Sequence, residues 1–155
     1  KELMKSLASI GLKREDVYIT SAVRSRPYSI KHTFSKKENK EVIKYPNRKP
    51  TKKEIMAHAP FLDYEINCVK PKIIVTVGTT ALTRLLDDKY EISNVHGKII
   101  ENTPILELND KKDGYIWSKE KYIVVPQYHP AAVFYNRKLT EIIAQDWLNV
   151  KLLIK

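Results

Sequence analysis

Hydrophobic and polar positions follow two different periods along this chain, and each period predicts a different kind of element. Residues 72–78 (KIIVTVG) and 121–126 (KYIVVP) are almost unbroken β-branched runs, the pattern of strands buried on both faces of a parallel sheet. Residues 17–23 (VYITSAV) are β-branched and aromatic and predict a further strand. Residues 99–100 and 105–108 predict short strands or hairpin edges.

Apolar residues at helical spacing predict four helices, at residues 1–10, 51–69, 79–86 and 139–153. Thr51 followed by Glu54 is a capping box that begins the second helix, and Pro60 is expected to interrupt or shift it. Strands that alternate with helices are typical of a three-layer α/β/α sandwich. The chain is therefore predicted to be a single α/β domain over residues 1–155.

The chain has 155 residues and a net charge of +10 at pH 7. Such an excess favours polyanions, with nucleic acid first and an anionic membrane surface second. The sequence contains no apolar run long enough to span a bilayer and no visible signal peptide. The alternative interpretation is a basic surface that contacts only solvent.

The single cysteine, Cys68, lies in an apolar stretch and is predicted to be a core residue. One thiol forms neither an internal disulfide nor, by itself, a zinc or iron–sulfur site. The chain is therefore expected to be intracellular, in the cytoplasm or at the nucleoid. It is also expected to be a monomer.

Residues 28–53 form a polar segment that is predicted to be a long loop with a small hairpin. Its aromatic residues are Tyr28, Phe34 and Tyr45, and its cations are Lys31, Lys36, Lys37, Lys40, Lys44, Arg48, Lys49, Lys52 and Lys53. Lysines neutralise phosphates and aromatic rings stack on exposed bases. We expect salt-sensitive, sequence-independent DNA affinity here, and the alternative is a flexible solvated loop.

Polar and glycine residues follow three of the predicted strands, at residues 21–26, 78–80 and 127–129. Ligands of open α/β sheets bind at the carboxyl ends of the strands. Three loops at one edge would form a site, and this argument alone does not name its ligand.

Several segments carry a more specific resemblance. They are GLKREDVYITSAVRSRP (11–27), PNRKPTKKEIMAHAPFL (46–62), KPKIIVTVGTTAL (70–82), VVPQYHPAAV (124–133) and a glycine turn with HGK (94–98). In this order they resemble the iron–sulfur, family 4-like uracil-DNA glycosylases over most of the chain.

The resemblance implies a parallel four-stranded sheet between helices, whose first strand would lie upstream of Lys1. It implies DNA bound across the strand ends, with one nucleotide flipped out of the duplex. It also implies hydrolysis of the N-glycosidic bond of uracil or a related deaminated base, in base excision repair. Compared with the family, residues 28–53 are a basic insertion.

His129, followed by Pro130, matches the family's HP motif and is the predicted catalytic and base-binding residue. A donor aimed at a uracil carbonyl stabilises the negative charge on the departing base; the alternative is a capping or surface histidine. Ser21 stands where the family commonly has asparagine and is the second predicted base-binding residue. A serine hydroxyl offers fewer hydrogen bonds than an amide, so base recognition is relaxed, rebuilt or lost, unless Ser21 has no role.

The DNA-binding residues predicted are Gly78, Thr79, Thr80, Pro130, Ala131, Ala132, Val133, Arg24, Arg26, Arg48 and Lys49. Backbone N–H groups of residues 78–80 at a helix N-terminus can hold a phosphate; the alternative is a plain turn. The loop after His129 resembles one that pushes an apolar wedge into the minor groove. The alternative is that Phe134 and Tyr135 pack on the closing helix.

Two positions depart from the family's metal chemistry. Ser25 and His58 fall where the family places cysteine ligands of a [4Fe–4S] cluster, which needs four thiolates. No cluster, other metal or cofactor is therefore expected, and a packed or exposed His58 is favoured over a ligand. The family's first motif, whose carboxylate or amide positions the attacking water, is absent from these residues and is expected upstream of Lys1.

Three functions compete for this sequence. The first is a DNA glycosylase whose substrate is single- or double-stranded DNA containing uracil. The second is a catalytically degenerate module that binds DNA or a replication or repair protein. Ser21, the lost cluster and the absent first motif all favour it. The third, an unrelated small-molecule enzyme, has no glycine-rich phosphate loop to support it.

Overall fold

The computed structural model describes residues 2–23, 31–35, 40–44 and 49–154, with the backbone alone for 31–35 and 40–44. The helices are α1 (Glu2–Ser9), α2 (Lys52–Val69), α3 (Thr79–Leu86), α4 (Ile92–Val95) and α5 (Leu139–Leu153). The strands are β1 (Lys31–Ser35), β2 (Lys40–Lys44), β3 (Ile73–Val77), β4 (Ile100–Thr103), β5 (Leu106–Leu108), β6 (Tyr115–Trp117) and β7 (Tyr122–Gln127). The α/β class is as predicted.

The central sheet of the described residues has three strands in the order β3-β7-β4. Strands β3 and β7 are parallel, from Ile73 opposite Ile123 to Val77 opposite Gln127. Strand β4 runs antiparallel to β7, so this sheet is mixed. The predicted parallel four-stranded sheet is therefore not confirmed.

Helices cover both faces of this sheet, and β7 shows why. Val124 and Val125 are fully buried, and consecutive strand residues point to opposite faces. Val124 packs into a cluster with α2, α3 and α4, whereas Val125 packs with α1 and α5. The continuous apolar run of β7 thus reflects burial on both sides, as the sequence pattern predicts.

The strand predicted at residues 17–23 is wrong for the described chain. No described strand pairs with this segment, and a strand requires a hydrogen-bonded neighbour. Its side chains attach it to α2 instead: the Tyr18 hydroxyl and the Thr20 hydroxyl both donate to the Glu65 carboxylate, the latter over 2.7 Å. The β-branched composition reports burial, because Val17 and Ile19 pack on the α1–α5 side of the core.

Helix α2 begins at the predicted capping box: Thr51 accepts the Glu54 N–H, and the Glu54 carboxylate accepts the Thr51 N–H. The predicted interruption at Pro60 is wrong, because α2 is continuous through Val69. Pro60 lies on the exposed side of α2, while Ala59 and Leu62 anchor the other side in the core. Tertiary packing therefore outweighs the single backbone bond that proline removes.

The core position predicted for Cys68 is also wrong. Its thiol is exposed, on the outer face of α2 one turn after the exposed Tyr64. An apolar stretch in a helix leaves some of its residues on the solvent side, which composition alone does not distinguish.

The short strands predicted at residues 99–100 and 105–108 correspond to β4 and β5. Strand β6 was not predicted, and it pairs with β5 in a hairpin that places Leu106 opposite Trp117. Buried Arg84 of α3 holds this hairpin: it donates to the Leu106 carbonyl over 2.9 Å and to the Asp63 carboxylate of α2. Asp63 also accepts the Leu108 N–H over 2.8 Å. In the part of the chain that the structure describes, no helix is both long and apolar enough to cross a membrane.

Candidate active site

The carboxyl ends of β3 and β7 meet at Gly78 and His129. The Gly78 N–H donates to the Gln127 carbonyl over 2.9 Å. Gly78 has φ +90°, and a Cβ there would lie 3.3 Å from the His129 Cβ. Glycine therefore serves both the turn conformation and the close approach, and two of the three predicted loops do converge.

The His129 ring has a defined orientation. Its Nδ1 accepts the Ala131 N–H over 3.1 Å, because His129 caps the 3-10 turn Pro130–Phe134. In the neutral imidazole the proton must then reside on Nε2. The side chain is exposed at the strand end, and among the described residues the Nδ1 contact is its one side-chain hydrogen bond. A donor such as Nε2–H can stabilise negative charge that develops on a bound ligand.

The hydrogen bonds of Ser21 do not connect it to this arrangement. Its exposed hydroxyl donates to the Val23 carbonyl over 2.8 Å and accepts the Val23 N–H over 3.3 Å. Among the described residues, no hydrogen bond joins Ser21 to the β3–β7 edge. Its predicted role in base binding stays a prediction.

Helix α3 begins immediately after Gly78, and no side chain caps its N-terminus. Thr79 is exposed and Thr80 half-buried. Their backbone N–H groups are among the first of the helix, which have no intrahelical acceptor. This end of α3 can therefore contact an anion such as a phosphate.

The loop after His129 divides into a packed half and an exposed half. Pro130 is buried and Val133 packs on the α1–α5 side of the core, with Ala131 and Ala132 half-buried. Phe134 and Tyr135 are 72% and 92% exposed. Packing of these two rings on the closing helix is therefore not observed, and an apolar wedge has the aromatic surface that it requires.

Several predicted residues lie outside the described residues: Arg24, Ser25, Arg26 and Arg48. Lys49 is described and exposed just before α2. His58 is half-buried on α2, with its ring centroid 6.4 Å from that of Phe61. No group of three or more metal-ligating side chains occurs among the described residues.

The residues present do not fit a [4Fe–4S] cluster. Such a cluster needs four thiolates, and the only cysteine of this chain is the exposed Cys68.

A cluster that the sequence did not predict lies on the other side of β7. The His96 Nδ1 is 2.7 Å from the Asp146 carboxylate, and the His96 ring stacks on Tyr128, the neighbour of His129. In the sequence, residues 94–98 indicate only a glycine turn. No sequence signal joined it to Asp146, because 50 residues separate them.

Comparison with known proteins gives a consistent picture. The family model for the uracil DNA glycosylase superfamily matches residues 1–151. The chain is 34% identical over 145 residues to a type-4 uracil-DNA glycosylase of Sulfurisphaera tokodaii, covering 92% of this chain and 53% of that protein.

Two further type-4 uracil-DNA glycosylases match at 32% identity. The one from Archaeoglobus fulgidus aligns over 154 residues, 97% of this chain and 62% of that protein. The one from Thermotoga maritima aligns over 156 residues, 99% of this chain and 64% of that protein. The chain thus spans about half to two thirds of the length of these relatives.

Proposed function

Because the chain belongs to the uracil DNA glycosylase superfamily, we propose that the protein hydrolyses the N-glycosidic bond of uracil, or of a related deaminated base, in DNA. One observation carries the proposal: His129 is exposed beside Gly78 at the carboxyl end of the parallel strands, and its Nδ1 already accepts the Ala131 N–H, which leaves Nε2 for a ligand. A DNA substrate also implies an intracellular place of action.

In the proposed reaction the target nucleotide leaves the stack and its base enters the strand-end site. The bond from C1′ to the base nitrogen breaks, and the electron pair stays on the base. His129 Nε2–H donates a hydrogen bond to the base carbonyl on which this charge collects. A preorganised donor of this kind typically contributes about 10²–10³-fold, and water completes the hydrolysis at C1′.

The surrounding residues would hold the DNA. The N–H groups of Thr79 and Thr80 suit a backbone phosphate. Exposed Phe134 and Tyr135, carried by the 130–133 turn, would fill the space that the flipped base leaves. Lys49 is an exposed cation, and Arg24, Arg26 and Arg48 are proposed to add phosphate contacts.

We also propose that a further strand, parallel to β3, completes the sheet to four strands, of which β4 is antiparallel. The side of β3 away from β7 has no partner among the described strands, and it is the position for a further strand. The group that positions the attacking water would lie at the end of that strand. General-base assistance of this kind is typically worth about 10²–10⁴-fold.

A second candidate is a glycosylase fold that binds DNA, or a replication or repair protein, without cleaving the base. Ser21 favours it, because its hydroxyl bonds within its own turn and offers less than an amide to a base edge. In either function, residues 28–53 are proposed as a basic insertion that adds affinity for DNA phosphates.

A base-release assay on the full-length protein tests the first function. Oligonucleotides with one uracil, single- or double-stranded, are incubated and then cleaved with alkali at abasic sites. We expect cleavage, and a loss of at least about 10²-fold in His129→Ala. His58→Ala, a histidine away from the strand end, is the matched control. Cleavage that persists in His129→Ala would contradict the role of this residue.

Salt-dependent DNA binding distinguishes the second function. A protein that binds DNA with a steep salt dependence, yet releases no base, would be a binding module. Deleting the basic insertion should flatten the plot of log affinity against log salt concentration. An unchanged slope would exclude phosphate contacts by this segment.

A further inference from the structure

The polar cluster beside His129 links three elements that are distant in sequence. His96 follows α4, and its Nδ1 lies 2.7 Å from the Asp146 carboxylate of α5; the two side chains are 28% and 12% exposed. A carboxylate that contacts one ring nitrogen fixes the rotation of an imidazole. The His96 ring is therefore held in one plane by α5.

Gly97 seats this turn directly on Asp146. A Cβ at Gly97 would lie 2.2 Å from the Asp146 Oδ1, so no side chain fits there. The Gly97 N–H donates to the Pro126 carbonyl of β7 over 2.7 Å, and its carbonyl accepts the Asn149 side-chain amide over 2.7 Å. The turn is thus fastened to β7 and to α5 at once.

A second contact with the same turn of α5 holds the end of β7. Gln127 is fully buried, and its side-chain amide donates to the Asp146 backbone carbonyl over 3.1 Å. Tyr128, the next residue, stacks on the His96 ring with centroids 4.8 Å apart and planes 29° apart. Both residues that immediately precede His129 are therefore braced by Asp146, one directly and one through His96.

We propose that His96, together with Asp146, is a positioning residue for His129. The pair fixes the Tyr128 ring, and this fixes the backbone from which the His129 imidazole extends. Among the described residues, only the Ala131 N–H and the close approach of Gly78 orient the exposed His129 side chain, so the direction of its ring depends on this brace. The inference rests on the proposed function where it concerns catalysis, and on the fold alone where it concerns the His129 ring.

The test uses the full-length protein and three substitutions. His96→Asn keeps an amide that can donate to Asp146 but removes the stacking ring, and Tyr128→Leu removes the other ring. Tyr128→Phe keeps the stack and is the conservative control. Single-turnover base release and the dissociation constant for uracil-containing DNA are measured for each variant, and rates are corrected for the folded fraction.

We expect the two disruptive variants to slow base release about 10- to 100-fold, because an ångström-scale misplacement of a catalytic group has effects of this size. Tyr128→Phe should stay within about twofold, and the dissociation constant should change little in all three. In a His129→Ala background, the same substitutions should have no further effect. Losses that add in full to that of His129→Ala would overturn the proposal, because they would not act through His129.

A second measurement does not depend on activity. The chain has four histidines, so ¹⁵N-histidine labelling gives few imidazole signals, and single substitutions assign them. We expect the His129 signals to shift in His96→Asn and Tyr128→Leu but not in Tyr128→Phe. If the unmodified protein releases no base, the proposed function fails and this arm decides: unshifted His129 signals would overturn the brace.

Discussion

Two regions of this molecule hold a polar side chain in opposite ways. At the β5–β6 hairpin, Arg84 is 3% exposed, and both of its terminal nitrogens bond to the protein. At the strand ends, the exposed His129 has one side-chain hydrogen bond among the described residues, through Nδ1, and its Nε2 is not used in it. The two side chains therefore differ in whether they can bind a ligand. The charge of Arg84 is neutralised by Asp63 inside the fold, whereas one ring nitrogen of His129 is not used by the fold.

The surroundings of the two regions match this division. The Arg84 Cζ lies over the Tyr115 ring, 4.8 Å from its centroid. Through Asp63, Arg84 joins α2, α3 and the hairpin. A buried ion pair costs much in lost hydration, and it is tolerated when the geometry satisfies both partners. His129 instead relies on neighbours that are themselves braced. Under the proposed function, stability and catalysis thus depend on separate polar clusters.

The largest loss of stability is expected from Arg84→Met. It leaves the Asp63 carboxylate partly buried without its cation, and removal of one partner of a buried pair typically costs about 3–5 kcal/mol. The free energy of unfolding from urea titration should fall by that amount. Lys5→Met, at the exposed Lys5–Glu2 pair, is the control and should change little. Equal effects at the two sites would show that Arg84 is not a structural anchor.

A smaller loss of unfolding free energy is expected from Gly97→Ala, in the turn that contacts β7 and α5. Gly97 has φ +74° and no space for a Cβ, whereas Gly11 has φ +81° with nothing within 4 Å of a Cβ. Both substitutions strain the backbone, by about 1–2 kcal/mol. Only the first also overpacks, and it should lose about 1–3 kcal/mol more. Equal losses of unfolding free energy would mean that the turn is not seated on Asp146.

The smallest effect is expected from Tyr115→Phe, and it depends on pH. Burial raises the pKa of Tyr115 above its ordinary value of 10.0, while the Arg84 cation lowers it and Asp63 raises it. The stability tied to the neutral phenol is complete below the ordinary pKa, and it decreases as pH rises from there through the folded-state value. Phenylalanine does not ionise, so this variant should lose less stability above about pH 10.

The measurement is the free energy of unfolding across that alkaline range. Tyr135→Phe, whose ring is 92% exposed, is the matched control and should follow the unmodified protein. If the free energy of unfolding of Tyr115→Phe decreases in parallel with those of Tyr135→Phe and the unmodified protein, the loss of stability at alkaline pH comes from other groups. At neutral pH the Tyr115 substitution should cost little, because its hydroxyl has no hydrogen-bond partner among the described residues.

The sequence predicted those elements that depend on local pattern. The β-branched runs gave β3 and β7, and the Thr51–Glu54 spacing gave the start of α2. The pairing of residues 17–23 failed, because a β-branched run reports burial and not the presence of a partner strand. The position of Cys68 failed because a helix turns some apolar residues outward.

Family resemblance and superfamily membership could be recognised from the sequence, since the motifs around residues 11–27, 70–82 and 124–133 are contiguous segments. The sequence also predicted that His129 follows a buried strand. Only the tertiary structure decided that the His129 Nδ1 accepts the Ala131 N–H, that Gly78 lies close to His129, and that His96 contacts Asp146. The physical reason is range: side-chain period and capping act within a few residues, whereas a hydrogen bond across 50 positions exists only once the chain has folded.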